Sequence, residues 1–174
     1  AVGADFFQVV DQIRVRLGAH PLVVNLPVFD GETFAGIVDL VKMRFYTFTG
    51  AMGDEIVEGP IPAAYLDTAE YWHTSMVESL AETDEALLES YFSGIELNPA
   101  ELSRVIRDNT IRGHMVPVLC GSSYRNMGVQ PLLDAIVDYL PSPLDIGPAQ
   151  GIVPENGTRM EMHPEPDGEF CALI

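Results

Sequence analysis

Met115–Pro143 reads MVPVLCGSSYRNMGVQPLLDAIVDYLPSP, and the fold class turns on this stretch. His114–Cys120 is a short apolar run with the pattern of a buried strand, although Pro117 lacks the N–H that a ladder needs. A polar loop follows, Gly121-Ser122-Ser123-Tyr124-Arg125-Asn126. Val129–Leu140 then predicts a helix with Leu132, Leu133, Ile136, Val137 and Leu140 inward, stopped by Pro141 and Pro143. Strand, polar loop and helix form the unit of an open α/β sheet, which binds ligands at the carboxyl ends of its strands. On spacing alone the simpler reading of the loop is a plain strand–helix turn with serine as cap.

Upstream, residues 62–112 predict three helices. The first runs from Pro62 to about Ala81, with Leu66, Ala69, Trp72, Met76, Val77 and Leu80 on its inner face. Asp67, Glu70, Glu78 and Glu82 fall on the opposite face. A solvated face is the plain reading of that stripe. Like charges at this spacing repel slightly, and a basic partner would relieve them. The second helix starts at Thr83 as cap and ends near Gly94. The third has a capping residue, Asn98, a proline at the first helical position, Pro99, and Glu101 placed for a capping box. Leu97 and Leu102 stand at staple positions, and the helix ends near Gly113.

Residues 22–58 read as strands: Leu22–Val28, Gly36–Phe48 and a short piece at Glu55–Glu58, with a turn at Gly50–Asp54. Residues 4–17 form a helix with Phe6, Val9, Val10, Ile13 and Leu17 inward, stopped by Gly18. Beyond the proline stop, residues 144–169 are rich in Pro, Gly, Asp and Glu and read as a linker or long loop; Phe170–Ile174 reads as a first strand.

Over its 174 residues the chain carries 9 Lys+Arg against 26 Asp+Glu, a net charge of −17. Such a surface excludes direct nucleic-acid and anionic-membrane partners, which need basic contacts, and favours basic protein surfaces. At 47% hydrophobic residues the chain can bury a core, which excludes disorder. No apolar run of about 18 residues appears, so no membrane span is expected. No signal peptide is visible, and Cys120 and Cys171 are expected as free thiols, so a cytoplasmic setting is expected. The single lysine, Lys42, lies between Val41 and Met43, so the chain holds no phosphate-binding P-loop. His20, His73, His114 and His163 lack metal-ligand spacing, and no nucleophile motif is present.

Four segments in order, VGADFFQVVDQIRVRLGAHP, FAGIVDLVKM, MVPVLCGSSYRNMGVQPLLDAIVDYLPSP and FCALI, resemble bacterial elongation factor G across essentially the whole chain. The resemblance implies an α/β fold: C-terminal elements of a P-loop-type G domain, carrying an α+β insertion subdomain called G-prime, plus the start of a β-barrel domain. Residues 1–20 would be a G-domain helix and 21–113 the insertion. Residues 114–143 would be the last G-domain strand and helix, and 144–174 a linker and the start of the second domain.

The resemblance also implies a function. The full-length parent would be a GTPase that uses GTP and GDP with Mg and promotes translocation on the ribosome. The chain alone would carry no catalytic residue, because the phosphate loop, the switch regions and the Asn-Lys-x-Asp motif are absent from it. Ser122, Ser123 and Tyr124 match the family's Ser-Ala-x motif, which contacts the guanine carbonyl through a backbone amide. Ser123 stands where alanine is usual, and a backbone contact survives that change. Asp67, Glu70, Glu78 and Glu82 match the acidic helix that meets the flexible ribosomal stalk protein. The alternative is a stand-alone acidic protein-interaction module without catalysis.

Overall fold

The computed structural model describes residues 4–50, 53–95, 97–153 and 156–164. The predicted strand Phe170–Ile174 and Cys171 lie outside the described residues. The described residues are mixed α/β with three small sheets, and the chain divides into two units, Ala1–Leu140 and Pro141–Ile174.

In chain order the first unit holds α1 (Phe6–Leu17), β1 (Pro21–Val23), β2 (Asn25–Asp30), β3 (Thr33–Asp39), β4 (Arg44–Thr49) and β5 (Glu55–Gly59). Then come α2 (Ala63–Ala81), α3 (Glu85–Phe92), α4 (Pro99–Ile111), β6 (Val116–Val118), a 3-10 turn (Ser123–Arg125) and α5 (Val129–Tyr139). Strands β2 to β5 form an antiparallel meander in sequence order, and β1 pairs with β6 in parallel. One core joins the pieces. It gathers Leu26 and Val38 from the meander, Leu80, Leu87, Leu102 and Ile106 from the helices α2 to α4, and Val10, Val118 and Tyr139 from α1, β6 and α5.

Several helix ends follow local chemistry. Asp5 Oδ1 accepts the Gln8 amide at 3.0 Å to open α1, and Gly18, at φ 62°, closes it in the left-handed region. Asn98 Oδ1 accepts the Ala100 amide at 2.9 Å ahead of Pro99. The capping box expected with Glu101 does not close, because the Glu101 amide goes to the Asn98 carbonyl at 2.9 Å. The cap of α3 is Asp84 and not Thr83: Asp84 Oδ1 accepts the Leu87 amide at 2.9 Å, while the Thr83 hydroxyl turns back to the Leu80 carbonyl at 2.7 Å.

The expected strand Leu22–Val28 is two strands in two sheets. Val24 separates them: its amide donates to the Val118 carbonyl at 3.1 Å and its carbonyl accepts the Leu40 amide at 3.0 Å. Likewise Gly36–Phe48 is two strands, with a turn centred on Met43, whose φ is 52°. Asp39 Oδ1 holds that turn by accepting the Val41 and Lys42 amides at 2.8 and 2.9 Å.

Of two inward faces read from sequence, that of α5 lies outward and that of α1 holds only in part. On α5, Ala135 and Tyr139 are buried, while Leu132, Leu133, Ile136, Val137 and Leu140 are exposed. On α1 Val10 is buried and Phe6 and Ile13 are half-buried against the core, as expected, while Val9 and Leu17 are exposed. The cause is the narrow sheet beside them. A parallel sheet is ordinarily wide and covered on both faces, and the two strands β1 and β6 offer too little surface to take both helices. On α2, Leu66 is exposed as well, while Ala69, Met76, Val77 and Leu80 are buried and Trp72 half-buried.

The second unit holds a short helix, α6 (Pro143–Ile146), and a hairpin of β7 (Ala149–Ile152) with β8 (Arg159–Met162). The hairpin forms where composition read as a loop. Its strands are short and almost wholly exposed, so no apolar alternation marks them.

Candidate functional site

The loop after β6 is pinned at its base. Asn25, buried at the head of β2, accepts the Cys120 amide through Oδ1 at 2.8 Å. Burial pushes the Cys120 thiol up to about 12. The loop then closes on itself. Ser122 donates its amide to the Met127 carbonyl at 2.8 Å and accepts the Met127 amide at 3.0 Å. Gly121 and Gly128 make the closure possible, since a Cβ at Gly128 would lie 3.1 Å from the Gly121 Cα.

Within this clasp, Ser122 to Tyr124 stand together at the start of the 3-10 turn. The Arg125 and Asn126 amides pair back to Ser122 and Ser123 carbonyls at 3.1 Å each. The Ser123 and Tyr124 amides are the first two of the turn, where a helical turn supplies no acceptor of its own. Tyr124 is fully exposed. The loop therefore presents backbone donors at the carboxyl end of a strand, a geometry suited to a planar ring carbonyl.

The loop's outer side meets the β4–β5 turn. Gly53 is buried at φ 64°, and a Cβ there would sit 2.8 Å from the Arg125 carbonyl oxygen. Gln130 Nε2, in the first turn of α5, reaches the Gly53 and Asp54 carbonyls at 3.4 Å each. Asn25, Gly53 and Gln130 are supporting residues that sequence reasoning missed. They lie up to about a hundred positions from the loop, and nothing local marks them.

The second candidate is the outer face of α2. Asp67, Glu70 and Glu78 lie on the helix and Glu82 caps its C-terminus in helical geometry; all four are exposed. At 3.6 residues per turn they span an arc of roughly 120°. Tyr71, one turn on from Asp67 and 68% exposed, lies within that arc between Glu78 and Glu82 and carries no motif in the sequence. Tyr91 on α3 donates its hydroxyl to Glu78 Oε1 at 3.0 Å. Leu88, Phe92 and Ile95 are exposed on and just after the same helix. The last turn of α2 has no basic residue, so Glu78 and Glu82 face the negative end of the helix dipole.

A cavity of about 290 Å³ lies between the meander and α5, lined among others by Asp39, Lys42, Tyr46, Glu58 and Tyr139. Burial pushes the Asp39 carboxyl above its ordinary value, against the pull of the Lys42 amide and charge, the Val41 amide and the Tyr46 hydroxyl. His73 bonds the Leu40 carbonyl through Nδ1 at 2.7 Å, which makes it a satisfied packing residue. Among the described residues no three His, Cys, Asp or Glu side chains come together as a metal site.

No family model matches the chain. Along all 174 residues it is 55% identical to elongation factor G 1 of Syntrophomonas wolfei subsp. wolfei (strain DSM 2245B / Goettingen), of which it covers 26%. A crystal structure of a protein from Thermus thermophilus superposes on 86% of the chain with a TM-score of 0.72 at 30% identity, using 22% of that protein. The chain thus spans about a quarter of the curated relative. The curated relative is a translation elongation factor by name. From end to end the chain matches a segment of an elongation factor G at 55% identity.

Proposed function

We propose that this chain is the later part of the GTP-binding domain of an elongation factor G, with the G-prime insertion at residues 21–113 inside it. The observation that carries the proposal is 55% identity over the whole chain to a member of that family. In this reading the parent hydrolyses GTP to drive translocation on the ribosome in the cytoplasm. Among the described residues no helix is long and apolar enough to cross a membrane.

The role of the loop at 121–128 is to read the guanine base, with the Ser123 amide donating to the ring carbonyl and Ser122 and Tyr124 framing it. The donor set present fits the base side of a nucleotide alone. Bound Mg with GTP or GDP would supply charge neutralisation at the phosphates in the parent, and no residue of this chain is assigned to that task. The role of Asp67, Glu70, Glu78 and Glu82 is to dock the basic domain of the ribosomal stalk protein. Two of these carboxylates stand at the helix end where negative charge costs stability, about 0.3–1 kcal/mol each. A face made only for solubility would gain by placing its acids in the first turn, which has none.

The test uses the full-length factor. In Ser123→Pro the amide is lost at the first position of the turn, where proline's φ is accepted and the preceding Ser122 is already extended (φ −128°). GDP affinity should fall about tenfold, the order of one lost hydrogen bond in a dry site. Ser123→Ala keeps the amide and should bind as the wild type does. Equal affinity in both variants would remove the guanine assignment.

A further inference from the structure

The β4–β5 turn makes an approach to the 121–128 loop that the meander does not need for its own pairing. The strands below it are fully paired from Phe45 with Gly59 to Thr49 with Glu55. Past that last pair, Gly53 is buried against the Arg125 and Asn126 carbonyls, where any Cβ would force a shift. Gln130, eight residues beyond Ser122, directs Nε2 at the consecutive carbonyls of Gly53 and Asp54. Its Oε1 is buried and has no hydrogen-bond partner among the described residues, a cost accepted to keep the donor end on the turn.

We propose that the β4–β5 turn is a brace for the loop, with Gly53 and Gln130 as its positioning residues, and that the brace sets how fast the loop releases a purine nucleotide. The loop's donors are backbone amides on a single 3-10 turn, whose hydrogen-bond geometry is poorer than that of an α-helix. An amide aims at a ligand only as well as its peptide plane is held, and the Arg125 and Asn126 carbonyls belong to the same short turn. Contact from Gly53 on one side and the Ser122–Met127 clasp on the other leave that turn one conformation. Ordering the free loop in this way lowers the conformational cost of binding, which appears as slower release. The claim about release rests on the guanine reading of the loop; the claim of bracing does not.

The experiment takes four variants of the full-length factor. Gly53→Ala and Gln130→Glu disrupt the brace, the second by placing an acceptor against two carbonyls. Gly31→Ala is the control: Gly31 has a φ of 59°, so alanine meets the same backbone strain, with nothing within 4 Å. Ser123→Pro reports on the guanine reading. Hydrogen exchange is followed at the amides of residues 122–127, and release of a fluorescent GDP analogue by stopped flow. Faster loop exchange and about three- to tenfold faster release in Gly53→Ala and Gln130→Glu, with neither change in Gly31→Ala, is the expected result. Loop exchange no faster than in the control would overturn the brace, whatever the nucleotide does. Faster exchange with unchanged release would overturn its control of release. Unchanged GDP affinity in Ser123→Pro would instead overturn the guanine reading, and the exchange data would still decide the brace.

Discussion

Asp84 and Arg104 meet at 2.9 Å, and the same Asp84 carboxylate caps α3 by accepting the Leu87 amide at 2.9 Å. One side chain thus starts a helix and ties it to α4, where Arg104 also reaches Asp108 at 3.2 Å. The Leu87 amide first, then Arg104, holds the Asp84 carboxyl below its ordinary 3.8. Its folded-state value is depressed, so the stabilisation is present above that ordinary value and is lost as the pH falls below about 4. Asp84→Ala should lower the protection of α3 amides by about 1–2 kcal/mol at pH 7, and Asp84→Asn, which keeps an acceptor for the cap, by less. Hydrogen exchange corrected for intrinsic rates checks this; equal protection in all three proteins at pH 7 would refute it.

Asp39 has the opposite sign. Burial raises its folded-state value, so the protonated form is favoured on folding, and stability falls as pH rises through that raised value. Asparagine keeps an oxygen for the Val41 and Lys42 amides without the buried charge. Asp39→Asn should therefore melt at the same or a higher temperature than the wild type at pH 7, with the advantage gone below about pH 3.8. Asp39→Ala, which strands two amides, should melt lower at both. A lower melting point for Asp39→Asn at pH 7 would count against this account.

Cys120 should be inert. With its thiol pushed up to about 12, the reactive thiolate at pH 8 is scarce, and alkylation should run about a thousandfold slower than for an ordinary free cysteine. Peptide mapping after timed iodoacetamide treatment separates Cys120 from Cys171. Comparable labelling of Cys120 and a free thiol standard would show that the loop base opens readily.

Charge reversal on α2 tests the docking face. Asp67→Lys with Glu70→Lys is the better pair, because Glu78 is already engaged by Tyr91. Both positions are exposed, so the fold should hold. Association with the basic domain of the ribosomal stalk protein should slow about tenfold at low salt, and by less at physiological ionic strength, where exposed charges are screened beyond about 8 Å. Stopped-flow association at two salt concentrations checks it; an unchanged rate would make the stripe a solvated face only.

The parts of this fold legible from sequence are those decided within one turn of chain. Gly18 ends α1, Asn98 and Pro99 start α4, and the spacing of Ala69, Met76, Val77 and Leu80 sets the inner side of α2. Residues decided by distant partners were not legible. Every residue from Leu22 to Val28 is buried, so no alternation betrays the change of sheet at Val24. The apolar stripe of α5 reads as inward whether or not this chain supplies a cover for it. At the site, Ser122 to Tyr124 were found through family likeness, whereas Gly53 and Gln130 are 77 positions apart and carry no motif. Thr83 reads as a cap one residue early because Asp84 has the same capping ability.

Val24 also bears on how this region tolerates being recombined. Because that residue alone passes the chain from the parallel pair to the meander, with a bond to each, the two sheets share one register. Adding or deleting one residue there would turn the side chains of Asn25 to Val28 over and carry Asn25 away from the Cys120 amide. A chimaera that exchanges residues 21–113 between relatives therefore has its safe entry point before Pro21, in the short link after Gly18, and not inside the strands where the sequence looks most uniform.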